Sequence, residues 1–254
     1  MSVSDTSAGL AYLRVVRDLV DRLGREGWAS LRQAAELVAD AHADGRTIHA
    51  FGTGHSHMLA EELSYRAGGL AGVRPIVDER LTVHTDAARS TELERDPSIG
   101  DALFDAHGFA EGDVLIVASN SGGNAVPSRL AQRARDGGVR VIAITSLGHA
   151  TSPEARATAS IRLHELADVV VDNGGIPGDA AIEIEGFQRR VGPTSTVVGA
   201  AIVNAIVVEA VELLVARGIR PDVFVSSNLA RGDDANASLV SAEHETAAEE
   251  DRTG

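Results

Sequence analysis

Gly52-Thr53-Gly54-His55-Ser56-His57 follows an apolar, β-branched run at residues 47–51, and the pattern recurs. Ser119-Asn120-Ser121-Gly122-Gly123-Asn124 follows residues 113–118, and Thr145-Ser146-Leu147-Gly148-His149 follows residues 140–144. A fourth cluster, Gly192-Pro193-Thr194-Ser195-Thr196, opens a long apolar stretch. Small hydroxyl residues and glycines at strand ends and helix starts supply clustered backbone N–H groups, hydroxyl donors and the positive end of a helix dipole. Those are the parts of a phosphate cradle. The candidate contacts are Gly52, Gly54 and Ser56 in the first loop, and Ser119, Asn120, Ser121 and Gly122 in the second. Thr145 and Ser146 come from the third, and Thr194, Ser195 and Thr196 from the fourth.

Other side chains carry chemistry beside these loops. Glu61 and Glu62 fall one to two turns into the helix expected after the first loop, where a carboxylate reaches a ligand and works as a general acid or base. A solvent or interface position is the ordinary alternative. His55 and His57 form a His-x-His, which suits ring donors to a phosphate or another ligand oxygen, simple packing, or a metal pair; His55 is the candidate assistant to the carboxylates, and no metal is expected. The first loop partly matches a dinucleotide fingerprint, with Asp78 and Glu79 at a distance suited to a ribose. Its sixth position is His57 rather than glycine, so close helix packing on a pyrophosphate is not provided for. Arg189 and Arg190, just before Thr194, are either phosphate neutralisers or a solvated pair.

The elements that must position these residues alternate between strand and helix. Helical spacing runs through residues 8–43, with Gly24 and Gly27 dividing it into two helices. Strands are expected at 47–51, 74–77, 113–118, 140–144 and 167–171, with a small extra one at 221–225. Helices are expected near 58–67, 98–107, 126–136 and 195–215, and residues 80–97 are the longest irregular stretch, of the kind that shapes sites. The alternation predicts an α/β fold with a parallel sheet covered by helices on both faces, and ligands beyond the strand carboxyl ends. Residues 1–231 read as one domain, and residues 232–254 as a disordered tail. That tail has seven acids and one Arg, and so supplies −6 of the net charge of −14.

Composition excludes several classes. All 23 basic residues are Arg, so Schiff-base chemistry, a pyridoxal-phosphate anchor and a P-loop lysine are ruled out. There is no cysteine, which removes disulfides and thiolate nucleophiles. The acidic balance argues against nucleic acid and anionic membrane as partners. Asn204, Glu209 and Glu212 interrupt residues 197–215, the most apolar segment, which favours a buried helix over a membrane span. No leader segment is visible, and a cytoplasmic protein is expected.

Gly-x-Gly-x-Ser after the first strand, Ser-x-Ser-Gly after a later one and Thr-Ser after the next, taken in order, resemble the sugar isomerase (SIS) domain over roughly residues 8–216. Residues 51–70 and the clusters near 120 and 193 further resemble an uncharacterised bacterial branch of that superfamily. The resemblance implies a flavodoxin-like, doubly wound parallel sheet of about five strands and a phosphosugar ligand held by Ser56, Ser119, Ser121 and residues 194–196. It also implies a homodimer or higher homo-oligomer with sites near the subunit interface. Ala60-Glu61-Glu62-Leu63 is similar to a stretch of phosphoheptose isomerases. In those enzymes, and in N-acetylmuramic acid 6-phosphate etherases, the catalytic Glu lies ten residues after the loop Ser. Here that position is Arg66, with Glu62 six residues after Ser56, and Asn204 stands where phosphoheptose isomerases carry a histidine. The expectation is a sugar-phosphate isomerase or lyase that needs no cofactor, with Glu62, Glu61 and His55 as candidate catalytic residues. A non-catalytic phosphosugar sensor is the alternative; no DNA-binding module accompanies the domain.

Overall fold

Strand runs with no polar break have two faces to bury, and in the computed structural model, which describes residues 7–84 and 86–240, both are covered. The strands β1 (Ile48–Gly52), β2 (Val73–Ile76), β3 (Val114–Ala118), β4 (Arg140–Thr145) and β5 (Val169–Asp172) form one parallel sheet in the order β2-β1-β3-β4-β5. Side chains alternate strictly between two cores. Ile48, Ala50, Val114, Ile116, Ile142, Ile144, Val169 and Val171 pack on one face. Phe51, Leu115, Val117, Val141 and Ala143 pack on the other.

Helices cover each face. α1 (Ala8–Arg25), α2 (Trp28–Ala43), α3 (His57–Leu63) and α9 (Ser195–Ala216) lie on the first; α5 (Pro97–Ala106), α6 (Ala125–Asp136) and the single turn α8 (Leu163–Leu166) lie on the second. The short α4 (Ala87–Leu93) and α7 (Leu147–Ala150) complete the set. Helix α9 is long and apolar enough to cross a membrane, yet half of its most apolar window is buried inside the fold, with Val198, Ile202, Val203, Ile206 and Leu214 in the core. Its buried Glu209 is paired with Arg32 Nη1 at 3.0 Å, which offsets the cost of removing a carboxylate from water.

The strand order is what builds the site. The chain leaves β1 for β2 on one side and returns as β3 on the other, so the β1 and β3 carboxyl ends diverge into a crevice. Gly52 pairs with Ala118 there, which sets the first two hydroxyl loops side by side.

Five stretches depart from the sequence expectation. The helix expected to run to residue 67 stops at Leu63; Ser64 is extended and Tyr65 has φ +41°. Tertiary pairing wins there: Phe224 O accepts from Gly68 N (2.8 Å), and Asp222 O accepts from Ala71 N (2.9 Å). The extra strand expected at 221–225 is thereby reduced to an isolated antiparallel bridge between Leu70 and Val223. Residues 80–97 contain α4, capped by Asp86, whose carboxylate accepts from Arg89 N. A hairpin of β6 (Ala180–Ile182) and β7 (Val191–Pro193) occupies a stretch with no strand expected. Residues 232–240, expected to begin a disordered tail, are helical. Buried Asn236 anchors them with two bonds to the Val225 backbone, at 2.9 and 2.7 Å. The remainder of that tail, residues 241–254, lies outside the described residues.

Candidate functional site

The first loop turns within three residues of the end of β1. A Cβ on Gly52 would lie 2.3 Å from the Ser56 carbonyl oxygen, so only glycine lets the following 3-10 turn, Gly54–Ser56, fold back on the strand. Gly54, at φ +56°, makes that turn. The second loop leaves β3 through Ser119, whose N–H bonds Ile144 O across the sheet (3.0 Å), and Gly122 at φ +59° redirects it into α6.

A small cleft opens where these loops meet α9. Ser56, Ser119, Asn120, Asn173, Ser195 and Thr196 line it, over an apolar floor of Leu59, Ala118 and Ile144. Five sequence-predicted contacts from three separate loops therefore converge. Asn173, just past β5, was not anticipated; its Nδ2 donates to Asn120 Oδ1 at 2.9 Å and so fixes the amide in the cleft.

Hydrogen-bond direction sorts the hydroxyls. Ser119 Oγ accepts from Gly122 N (3.3 Å) and Ser121 Oγ from Gly123 N (3.5 Å), which leaves both O–H protons free to donate, as an anion requires. Thr145 and Ser146 do not line the cleft and have spent their protons within the fold: Thr145 Oγ1 donates to Asn120 O (3.3 Å) and Ser146 Oγ to Gly175 O (2.6 Å). Thr194 Oγ1 and Ser195 Oγ both donate to Asp179, at 3.2 and 2.6 Å. Ser121 and Thr194 are likewise outside the lining.

The expected acid/base residues stand beside the cleft rather than in it. Glu62 is half-buried; its Oε1 accepts from Asn204 Nδ2 at 2.7 Å and its Oε2 pairs with Arg66 Nη1 at 2.9 Å. Glu62 thus bridges the other two positions singled out by the resemblance. Glu61 and His55 are exposed. His57 is buried, with Nδ1 held by the Gly54 carbonyl and Nε2 at 3.2 Å from His84 Nε2, so it fastens the loop. Arg190 is spent on the hairpin, bonding Ala180 O, Ala181 O and Glu183. Among the described residues no group of three His, Cys, Asp or Glu is placed to hold a metal ion.

Two further charged groups flank the loops. Glu94 accepts the Thr53 hydroxyl proton at 3.0 Å, and burial holds its carboxyl above the usual range, opposed by hydrogen bonds from Thr53 and Asn124. It lies in the 80–97 stretch read as site-shaping, without any motif of its own. The Arg162 guanidinium packs against the second loop, where a Cβ on Gly123 would sit 3.0 Å from Nη1; that nitrogen is buried with no hydrogen-bond partner. A cation with an unsatisfied donor therefore stands against the β3 loop.

Sheet order, crevice and hydroxyl loops agree with the family comparison: an SIS domain model matches residues 11–146. The chain belongs to the SIS domain family, and its relatives there are UPF0309 proteins. One from Listeria innocua is 42% identical over 210 residues, covering 83% of this chain and 85% of the relative. Another, from Brucella canis, is 41% identical over 237 residues, covering 93% and 92%. Among solved structures, a phosphoheptose isomerase from Francisella tularensis superposes with TM-score 0.52 at 15% identity, covering 79% of this chain and 94% of that one. The Vibrio vulnificus NanR protein complexed with ManNAc-6P gives 0.51 at 17% identity, covering 84% and 66%. At these identities the superpositions speak to the fold.

Proposed function

We propose that the chain binds a sugar phosphate in the cleft between the β1 and β3 loops and α9, and isomerises or cleaves it. The observation that carries this is the convergence of Ser56, Ser119, Asn120, Ser195 and Thr196 at the sheet's switch point, with proton-donating hydroxyls and Arg162 on the β3 side. The solved neighbours named above include a phosphoheptose isomerase and a protein bound to ManNAc-6P, which fits the same ligand class. The test is a thermal-shift panel of sugar phosphates against the matching free sugars. Stabilisation by one or more phosphates and by none of the free sugars is expected; preference for the free sugars would discard the assignment.

Glu62 is the acid/base residue of this proposal, because Asn204 and Arg66 hold its carboxylate in one place. Once an activity is found, Glu62→Gln is expected to lower turnover by roughly 10²–10⁴-fold with affinity nearly intact. The position of Glu61 and Glu62 outside the cleft lining favours a second reading, a non-catalytic sensor, and ligand binding without conversion of any sugar phosphate would select it. The protein acts in the cytoplasm as a homodimer in this proposal. Exposed Val197, Val208 and Val215 on α9, with Leu13 and Val20 on α1, supply apolar surface for a second subunit. A monomer by light scattering at micromolar concentration would remove the dimer.

A further inference from the structure

The amino end of α9 looks, from its Thr194-Ser195-Thr196 run, like one more donor set for phosphate, but a carboxylate of the same chain already fills it. Asp179 Oδ1 accepts from Thr194 N (3.0 Å), Ser195 N (2.9 Å) and Thr194 Oγ1 (3.2 Å), and Oδ2 accepts from Ser195 Oγ (2.6 Å). It is one of two non-glycine residues with positive φ among the described residues, at +66°, and Gly178 before it is at +80°. The segment between β5 and β6 is thus bent through conformations an L-residue rarely adopts, and the bend delivers this carboxylate to the start of a 22-residue helix.

We propose that Asp179 sets the polarity of the cleft: it excludes phosphate from the α9 end and turns that end into a reader of sugar hydroxyls. The inference rests on the phosphosugar assignment above and adds which end of the ligand lies where. The argument is one of proton direction. Ser195 lines the cleft, and because its proton is given to Asp179, only its lone pairs face a ligand. A phosphomonoester is mostly the dianion at neutral pH and has no proton to offer it, whereas a sugar hydroxyl does. The full negative charge beside Ser195 disfavours a second anion there. On the opposite wall Ser119 has the reverse arrangement, accepting from an N–H and keeping its proton to donate. One wall donates and the other accepts, so a phosphosugar enters with its phosphate toward the β1 and β3 loops and its hydroxyls toward α9.

An ordinary helix-capping role would leave anion affinity unmoved, so affinity for inorganic phosphate is the deciding readout. It is measured by titration calorimetry on the full chain for wild type, Asp179→Asn and Asp179→Gly, with folding checked by circular dichroism. Asparagine keeps the shape and one acceptor, and glycine suits the backbone conformation, so at least one folded variant is available. The expected result is phosphate binding tightened tenfold or more in each folded variant, with affinity for a neutral sugar unimproved. Equal or weaker phosphate binding in the folded variants overturns the proposal, as does no phosphate binding by any form. A wild type that binds no sugar phosphate, while the variants gain phosphate, rejects the phosphosugar assignment and leaves the exclusion of anions by Asp179 standing.

Discussion

The hydroxyls of this chain differ less in kind than in where their protons point, and that decides which of them keep a proton to offer the proposed ligand. Ser119 and Ser146 are both buried serines at strand carboxyl ends, yet Ser119 keeps its proton and Ser146 gives it to Gly175 O while accepting from His149 N. Opposite consequences are expected for the two alanine variants. Ser119→Ala should weaken sugar-phosphate binding by about 1.5–3 kcal/mol, the range for a hydrogen bond to a charged group, with little change in melting temperature. Ser146→Ala should cost about 1–3 kcal/mol of folding stability, because a buried carbonyl loses its partner, and leave affinity close to wild type. Calorimetric titration and urea denaturation of both variants check the pair, and equal effects would dissolve the distinction. Residue type and loop position were legible in the sequence, and they bring Ser56, Ser119, Asn120, Ser195 and Thr196 together. The partners were not. Asp179, Asn173, Glu94 and Arg162 reach the loops from segments far along the chain, and no local spacing announces such a contact.

Elements whose signal is local matched their expected positions, and those shaped by distant contacts did not. The five sheet strands lie within two residues of their expected bounds because β-branched apolar runs flanked by turn residues have few other ways to bury both faces. Helix α3 ends before its pattern does because residues 68–71 bond the backbone of residues 222–224, and α4 leaves no signal because a seven-residue helix carries too little periodicity. In the proposed function the element that matters most is the turn out of β1, and it can be tested through its glycines. Gly52→Ala places a methyl 2.3 Å from Ser56 O and 2.9 Å from His57 N, both backbone atoms that cannot step aside without moving the start of α3. It is expected to abolish sugar-phosphate stabilisation and to lower folding stability by about 1–3 kcal/mol. Gly54→Ala meets no atom within 4 Å and strains only its φ of +56°, a cost of about 1–2 kcal/mol with the cleft wall kept in place. Thermal-shift titration separates them: ligand response should survive in the second variant and vanish in the first.

Stability of the whole molecule is tied to a polar pair at the opposite, amino edge of the sheet. His49 on β1 is almost fully buried, packs against the Phe109 ring at 4.2 Å with a 37° tilt, and donates Nε2–H to Asp113 Oδ2 at 3.3 Å. That carboxylate also accepts from Thr47 N and Ala110 N, each at 2.9 Å. Burial pushes the imidazole down from 6.5 to about 4, against the opposing pull of Asp113 and with smaller help from Arg74 and His107. At neutral pH the contact is therefore a hydrogen bond from an uncharged ring rather than an ion pair. The unfolded chain takes up this proton near pH 6.5 and the folded chain only near 4, so protons favour unfolding between those values. The associated stability is fully present above about 6.5 and is lost as pH falls toward 4, by an amount on the order of 3 kcal/mol. Glu94 acts in the other direction: its raised carboxyl holds a proton longer in the folded state, so its contribution declines as pH rises through its ordinary range and above. Subtracting a variant isolates the histidine from all other groups. His49→Gln retains a donor for Asp113 and does not titrate, so the wild-type minus variant stability, from urea midpoints at intervals between pH 7 and 4, should fall steadily through that window. A difference that stays flat would mean that the ring titrates alike in the folded and unfolded chain, and one that rises as pH falls would mean that His49 is protonated in the fold and that the pair is ionic after all.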